Sequence, residues 1–125
     1  MVETAQGWQL RTDVMGDWLI VGVARDGHEP PFEPAWAESI WSLAVRHGKA
    51  RLAVEFDEGL LLTSLLVGQL VRLHKRAHLG GGTLRVCGLS RENESILRMM
   101  GLTERFPNYP SPQAAMGGEV PNKPR

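Results

Sequence analysis

Residues 60–82 read LLLTSLLVGQLVRLHKRAHLGGG, and this stretch decides the fold of the chain. After a short apolar approach, apolar side chains recur at steps of three and four residues, the period of an amphipathic helix. Thr63 is a suitable N-cap, and the glycines at 80–82 end the pattern. We therefore predict a helix from Ser64 to Leu79. Its buried face is expected to comprise Leu62, Leu66, Gln69, Leu70, Leu73 and Ala77.

Strand-like segments lie on both sides of this helix. Ala50–Phe56 precedes it and Thr83–Gly88 follows it, and both are short apolar runs bounded by glycine or turn residues. Further upstream, Trp8–Val14 alternates apolar and polar residues, and Trp18–Ala24 is more apolar. Because turn residues separate them, these two segments are predicted to form a hairpin. Residues 106–109 are expected to add a short edge strand.

Three further helices are predicted from periodicity and caps. Apolar residues from Pro34 to His47 keep helical spacing, and Gly48 follows them. Ser90 is an N-cap for a helix over 91–100, with acidic residues in its first turn. Ser111 and Pro112 are expected to begin a last short helix that runs to Met116.

Alternating strands and helices predict an α/β fold with right-handed crossovers. We expect a single domain over residues 1–116 and a flexible tail over 117–125. The sheet is predicted to have four or five strands, mixed but mostly parallel, with helices packed mainly on one face.

Composition excludes several classes of function. Fourteen basic side chains balance fourteen acidic ones, so no excess charge calls for nucleic acid. No signal peptide or long apolar run is visible, and Cys87 is the single cysteine. A cytoplasmic protein without membrane insertion is therefore expected.

Residues that could carry catalysis or bind a metal do not form a convincing set. His74 and His78 are four apart on one helix, but Lys75 and Arg76 lie between them and no third ligand is near in sequence. Cys87 lies in the middle of a strand, where a buried cysteine is the common case. No triad or pair of carboxylates stands out. We expect no enzyme activity, no metal and no cofactor.

The order of elements resembles the STAS domain of anti-sigma factor antagonists. In that family, a strand ending in an acidic residue leads, eight residues later, to an Asp-Ser-Ser-Gly-type motif that opens a helix. Glu55 lies in the corresponding strand here, and Thr63 lies eight residues beyond it, so Ser64 falls on the phosphorylated serine of the family. Residues 81–90 and 96–102 resemble the downstream strand and helix. The resemblance covers about residues 50–116.

Several family residues are replaced. Thr63 stands where the family has aspartate, and Leu65 and Leu66 stand where it has serine and glycine. The family also carries a Gly-acid-x-Asp loop, and the nearest stretch here, residues 27–30, ends in Pro30. The resemblance implies that Ser64 is the phosphorylation site of a switch, whereas these replacements favour a docking surface without a switch.

The resemblance also implies a partner, an anti-sigma factor with serine-kinase activity. A stripe beside Ser64 is rather apolar for a solvated helix face, and we expect it to bind this partner. The predicted partner-binding residues are Thr63, Ser64, Val67, Gly68, Val71, Lys75 and His78. The structural alternative is that Val67 and Val71 lie at the margin of the core.

Two other functions remain open. The chain could be a non-phosphorylated STAS subunit of an ATP-binding-cassette transporter or of a signalling assembly. A small-molecule or nucleotide sensor would instead use the loop near Gly27 and the start of the Ser64 helix. The partner that the protein captures would distinguish these functions.

Overall fold

The computed structural model describes residues 2–5, 7–25, 36–57 and 59–117. They form one sheet of six strands in chain order. The strands are β1 (Val2–Ala5), β2 (Trp8–Met15), β3 (Trp18–Arg25), β4 (Arg51–Phe56), β5 (Thr83–Cys87) and β6 (Asn108–Tyr109). The pairings β1–β2 and β2–β3 are antiparallel, and the three that follow are parallel. The predicted α/β class with a mixed, mostly parallel sheet is confirmed. The strand β1 was not predicted, so the sheet exceeds the expected four or five strands.

The described ranges also contain four helices: α1 (Trp36–His47), α2 (Ser64–Leu79), α3 (Arg91–Met99) and α4 (Pro112–Gly117). The bounds predicted for α2 are confirmed at both ends, because a threonine cap and a run of glycines mark them in the sequence. The helix α3 ends one residue earlier than predicted. The helix α4 ends one residue later, so Gly117 belongs to it and not to the tail.

Successive side chains of each strand point to opposite faces of the sheet, so the sheet has two distinct faces. On one face, Leu19, Val21 and Val54 belong to a large core that also contains buried side chains of α1, α2 and α3. On the other face, α4 covers Trp18, Ala53, Cys87 and Tyr109 with Ala114 and Ala115. We call these the helical face and the back face. Three of the four helices lie on the helical face, as predicted.

The crossovers place the carboxyl ends of β3, β4 and β5 at one edge of the sheet, because these strands are parallel. The helix α2 begins just beyond β4 and therefore begins at this edge. None of the helices in the described part of the chain combines the length and apolar character needed to span a bilayer.

Two predictions lie outside the described residues. The loop near Gly27 and Pro30, which the sensor hypothesis requires, falls within 26–35. The tail prediction concerns residues beyond 117. Both remain predictions.

Candidate functional site

The start of α2 is built by a threonine cap. Thr63 has an extended backbone, with φ −109° and ψ 169°, and its hydroxyl accepts a hydrogen bond from the amide of Leu66 at 3.2 Å. The amide of Val67 donates to the Thr63 carbonyl at 2.9 Å. Amides in the first turn of a helix have no intrahelical acceptor, so the cap supplies one. The Ser64 side chain lies in this turn and is exposed.

The segment that leads into this turn is held by a neighbouring helix. Asn93, buried on α3, accepts from the Leu62 amide and donates to the Leu60 carbonyl, both at 2.9 Å. Its own helix is capped by Ser90, whose hydroxyl accepts from the Asn93 amide at 3.2 Å. The Ser90 cap predicted from the sequence is therefore confirmed, and it also positions the residue that holds the approach to Ser64.

Five of the predicted docking residues are exposed: Thr63, Ser64, Gly68, Lys75 and His78. Val71 is half-buried and packs against the core, and Val67 is only 1% exposed. The prediction that Val67 lies on the docking surface is therefore wrong, because Val67 belongs to the core itself, whereas Val71 lies at the core margin.

The reason for the burial of Val67 is that α2 has neighbours on both flanks. On one flank, Gln69 accepts a hydrogen bond from the Ala37 amide of α1 at 3.2 Å. On the other, the imidazole of His74 contacts Phe106 edge-on, with ring centroids 5.3 Å apart. Because α2 has neighbours on both sides, a wider part of its surface is buried than the single apolar face predicted from periodicity.

The exposed apolar side chains near Ser64 are leucines that the sequence analysis did not assign to the surface. Leu61 is 52% exposed and Leu65 is 68% exposed. At about 100° per residue, Leu65 lies roughly 110° from the centre of the buried face around Leu66, Leu70 and Leu73. This angular position could have predicted from the sequence that Leu65 is exposed. Together Leu61, Ser64, Leu65 and Gly68 form what we call the α2 tip.

The second half of α2 is cationic. Arg72, Lys75 and Arg76 are exposed, and the helix contains no Asp or Glu. Arg76 forms an ion pair with Glu38 of α1 at 2.9 Å, and its guanidinium lies 5.8 Å from the ring centroid of Trp41. The outward surface of α2 thus changes from apolar at the tip to positive toward its end.

His74 and His78 stack on each other, with centroids 6.2 Å apart. Burial lowers the pKa of His74, and the positive charges of Arg105 and His78 lower it further. Such a site favours a neutral imidazole packed on Phe106. Among the described residues, no group of three or more His, Cys, Asp or Glu side chains could hold a metal ion.

Cys87 is fully buried on the back face, as its position in the strand predicted. Burial raises the pKa of its thiol to about 12, and the carboxylate of Glu55 contributes to the shift. A thiol with this pKa is protonated at neutral pH, which makes it a poor nucleophile.

No family model matches the chain, and no curated protein matches it either. Among solved structures, it is similar to the NMR structure of the protein TM1081, with a TM-score of 0.65. The match has 14% sequence identity and covers 85% of this chain and 84% of that one. At this identity the likeness concerns the fold alone, and it shows that nearly the whole chain adopts an architecture already seen in another protein.

Proposed function

We propose that this chain is a non-enzymatic interaction domain of the STAS type, which binds an anti-sigma factor with serine-kinase activity through the start of α2. The observation that carries the proposal is the α2 tip, where an exposed serine in the first turn lies beside two exposed leucines. The protein would act in the cytoplasm, without nucleic acid or a cofactor.

The tip has the properties of a small docking surface. Exposed leucines gain free energy when a partner removes them from water, and a well-packed apolar contact of this kind can anchor an interface. The Thr63 cap and the Asn93 bridge hold the backbone of the tip, so less conformational entropy is lost on binding.

Phosphorylation of Ser64 would change this surface. A phosphate adds nearly two negative charges to the α2 tip, and burying these charges against an apolar partner costs binding free energy. The positive end of the helix would stabilise the phosphate in the free protein, which also disfavours its transfer into an interface. The unphosphorylated form is therefore the binding form in this proposal.

The test begins with capture of partners on the full chain, followed by affinity measurements on the partner identified. A serine kinase of the anti-sigma type should bind wild type and Ser64→Ala equally, and Ser64→Asp about tenfold or more weakly. Equal affinity for Ser64→Asp would remove the switch. If Leu65→Glu also bound as well as wild type, the α2 tip would not be the docking surface.

A second function, that of a non-phosphorylated subunit of a transporter or signalling assembly, is favoured by one observation. The hydroxyl of Thr63 is occupied as the helix cap, and the first turn of α2 contains no acidic side chain. The aspartate that adjoins the phosphorylated serine in the family is therefore absent here. Capture of a transporter ATPase, together with equal binding of Ser64→Ala and Ser64→Asp, would support this function.

A further inference from the structure

The back face of the sheet contains a groove that the interaction at α2 does not use. It has a volume of about 410 Å³ and lies at the carboxyl ends of β3 and β4, past the part of the sheet that α4 covers. Ligands of open α/β sheets commonly bind at the carboxyl ends of the strands, in cavities of about this size. The groove is thus in a favourable position for a small molecule.

Its floor is a row of residues across three neighbouring strands. Arg11 of β2 pairs with Gly22 of β3, which in turn pairs with Glu55 of β4. A Cβ atom at Gly22 would lie 3.0 Å from the Arg11 guanidinium, and one at Gly88 would lie 3.1 Å from Oε2 of Glu55. The two glycines therefore leave the space in which the two charged side chains lie.

These two side chains form a loose ion pair. The distance from Nη2 of Arg11 to Oε1 of Glu55 is 3.9 Å, and the side chains are 70% and 35% exposed. An exposed pair at this distance contributes little to stability. The Arg11 guanidinium and the Glu55 carboxylate can therefore separate and each bind a charged group of a ligand, with little loss of stability.

A third charge, Asp57, lies at the rim of the groove. Its amide donates to the Val23 carbonyl at 2.9 Å, which extends the pairing of β4 with β3 by one residue. Asp57 follows Glu55 by two residues, about 7 Å farther along an extended backbone, and both residues line the groove. The described residues that line the groove thus present one cation, Arg11, and two anions, Glu55 and Asp57.

We propose that this groove binds a free basic α-amino acid. The guanidinium of Arg11 would take the carboxylate, for which its forked donors are suited. Glu55 would take the α-ammonium group, and Asp57 the cationic end of the side chain. The ligand has one negative and two positive groups, which is the complement of the three protein charges. This proposal is independent of the function proposed for α2.

The test is a titration of the ¹⁵N-labelled full chain with L-lysine and L-arginine, followed by NMR chemical shifts. We expect saturable shifts at the amides around Gly22, Glu55 and Gly88. Each of three related compounds lacks one group, and each should bind at least about tenfold more weakly. They are cadaverine without the carboxylate, 6-aminohexanoate without the α-ammonium group, and L-norleucine without the side-chain cation.

Two substitutions test the residues. Arg11→Gln and Glu55→Gln should each weaken lysine binding at least about tenfold, because each removes one charged partner. Arg98→Gln is the matched control, at an exposed position of α3 on the opposite face of the sheet, and it should bind lysine like wild type. The fold of each variant is checked from its own NMR spectrum.

Three results would overturn the proposal. The first is the absence of saturable shifts with either basic amino acid. The second is equal binding of cadaverine, which would make the groove a site for cations alone. The third is equal binding of Nα-acetyl-lysine amide, because a peptide side chain would then satisfy the site without a free carboxylate.

Discussion

The side-chain amide of Asn93 donates to the backbone carbonyl of Leu60 at 2.9 Å, across 33 positions of sequence. The same side chain accepts from Leu62, so it satisfies backbone groups on both sides of the exposed Leu61. Because Asn93 is 2% exposed, no water can readily replace it. This bridge holds the chain in place just before the α2 tip.

Replacement of Asn93 should therefore lower the free energy of unfolding. In Asn93→Ala the Leu60 carbonyl and the Leu62 amide lose their partner, at about 1–3 kcal/mol for each group left buried. We expect a matching decrease in the free energy of unfolding, measured by urea denaturation. Ser95→Ala, at an exposed position of the same helix, should stay within about 0.5 kcal/mol of wild type. An Asn93→Ala protein as stable as wild type would show that the bridge is not formed.

Two leucines of α2 should separate stability from binding. Leu70 is fully buried, and Leu70→Ala should lower the free energy of unfolding by about 2–5 kcal/mol through the cavity it leaves. Leu65 is mostly exposed, and Leu65→Ala should change stability by less than about 0.5 kcal/mol. Denaturation curves measure both values. A cost for Leu65→Ala comparable to that for Leu70→Ala would contradict the exposure of the tip.

Substitution of two glycines, Gly68 within α2 and Gly82 just after it, should change stability in opposite directions. A Cβ at Gly82 would lie 1.9 Å from the carbonyl oxygen of Ala50, so Gly82→Ala must displace backbone where β5 begins. We expect a loss of about 4 kcal/mol or more. At Gly68, in the exposed interior of α2, Gly68→Ala should instead stabilise by about 0.5–1 kcal/mol. Thermal unfolding measures both, and a stable Gly82→Ala protein would disprove the close approach.

The pKa of His74 predicts a dependence of stability on pH. Burial, and then the charges of Arg105 and His78, lower the pKa of His74 below its ordinary value of 6.5. The folded state therefore binds this proton less readily than the unfolded state does. The contribution of neutral His74 is complete above pH 6.5, and it is lost as the pH falls through the lowered pKa.

The measurement is the free energy of unfolding between pH 7.5 and pH 5, for wild type and for His74→Gln. Wild type should lose stability over this range, and the variant should lose less because it lacks the titrating group. Parallel curves for the two proteins would mean that His74 has the same pKa in the folded and unfolded states.

Much of the architecture follows from local sequence. The bounds of α2, the Thr63 and Ser90 caps and the β2–β3 hairpin are confirmed, because helix period, strand alternation and cap chemistry act over a few residues. The strand β1 was missed, since its four residues are too few to show a convincing alternation. The position of Ser64 at the exposed start of its helix was also predicted.

The surface around Ser64 was decided by tertiary contacts. Periodicity gives the direction of a side chain around its own helix, but the width of the buried arc depends on which elements lie beside that helix. Here α1 and the segment at Phe106 flank α2, so Val67 is buried, whereas Leu65 on the open side is exposed.

The sequence by itself determined where the helices and strands lie and where the chain turns, because local conformation depends mainly on residues that are close in sequence. Only the tertiary structure brought Arg11, Gly22 and Glu55 into one row and placed Asn93 against Leu60. Such contacts join residues 11 to 33 positions apart, and their register is set by strand pairing and helix packing across the whole domain. The α2 tip and the groove on the back face both depend on contacts of this kind.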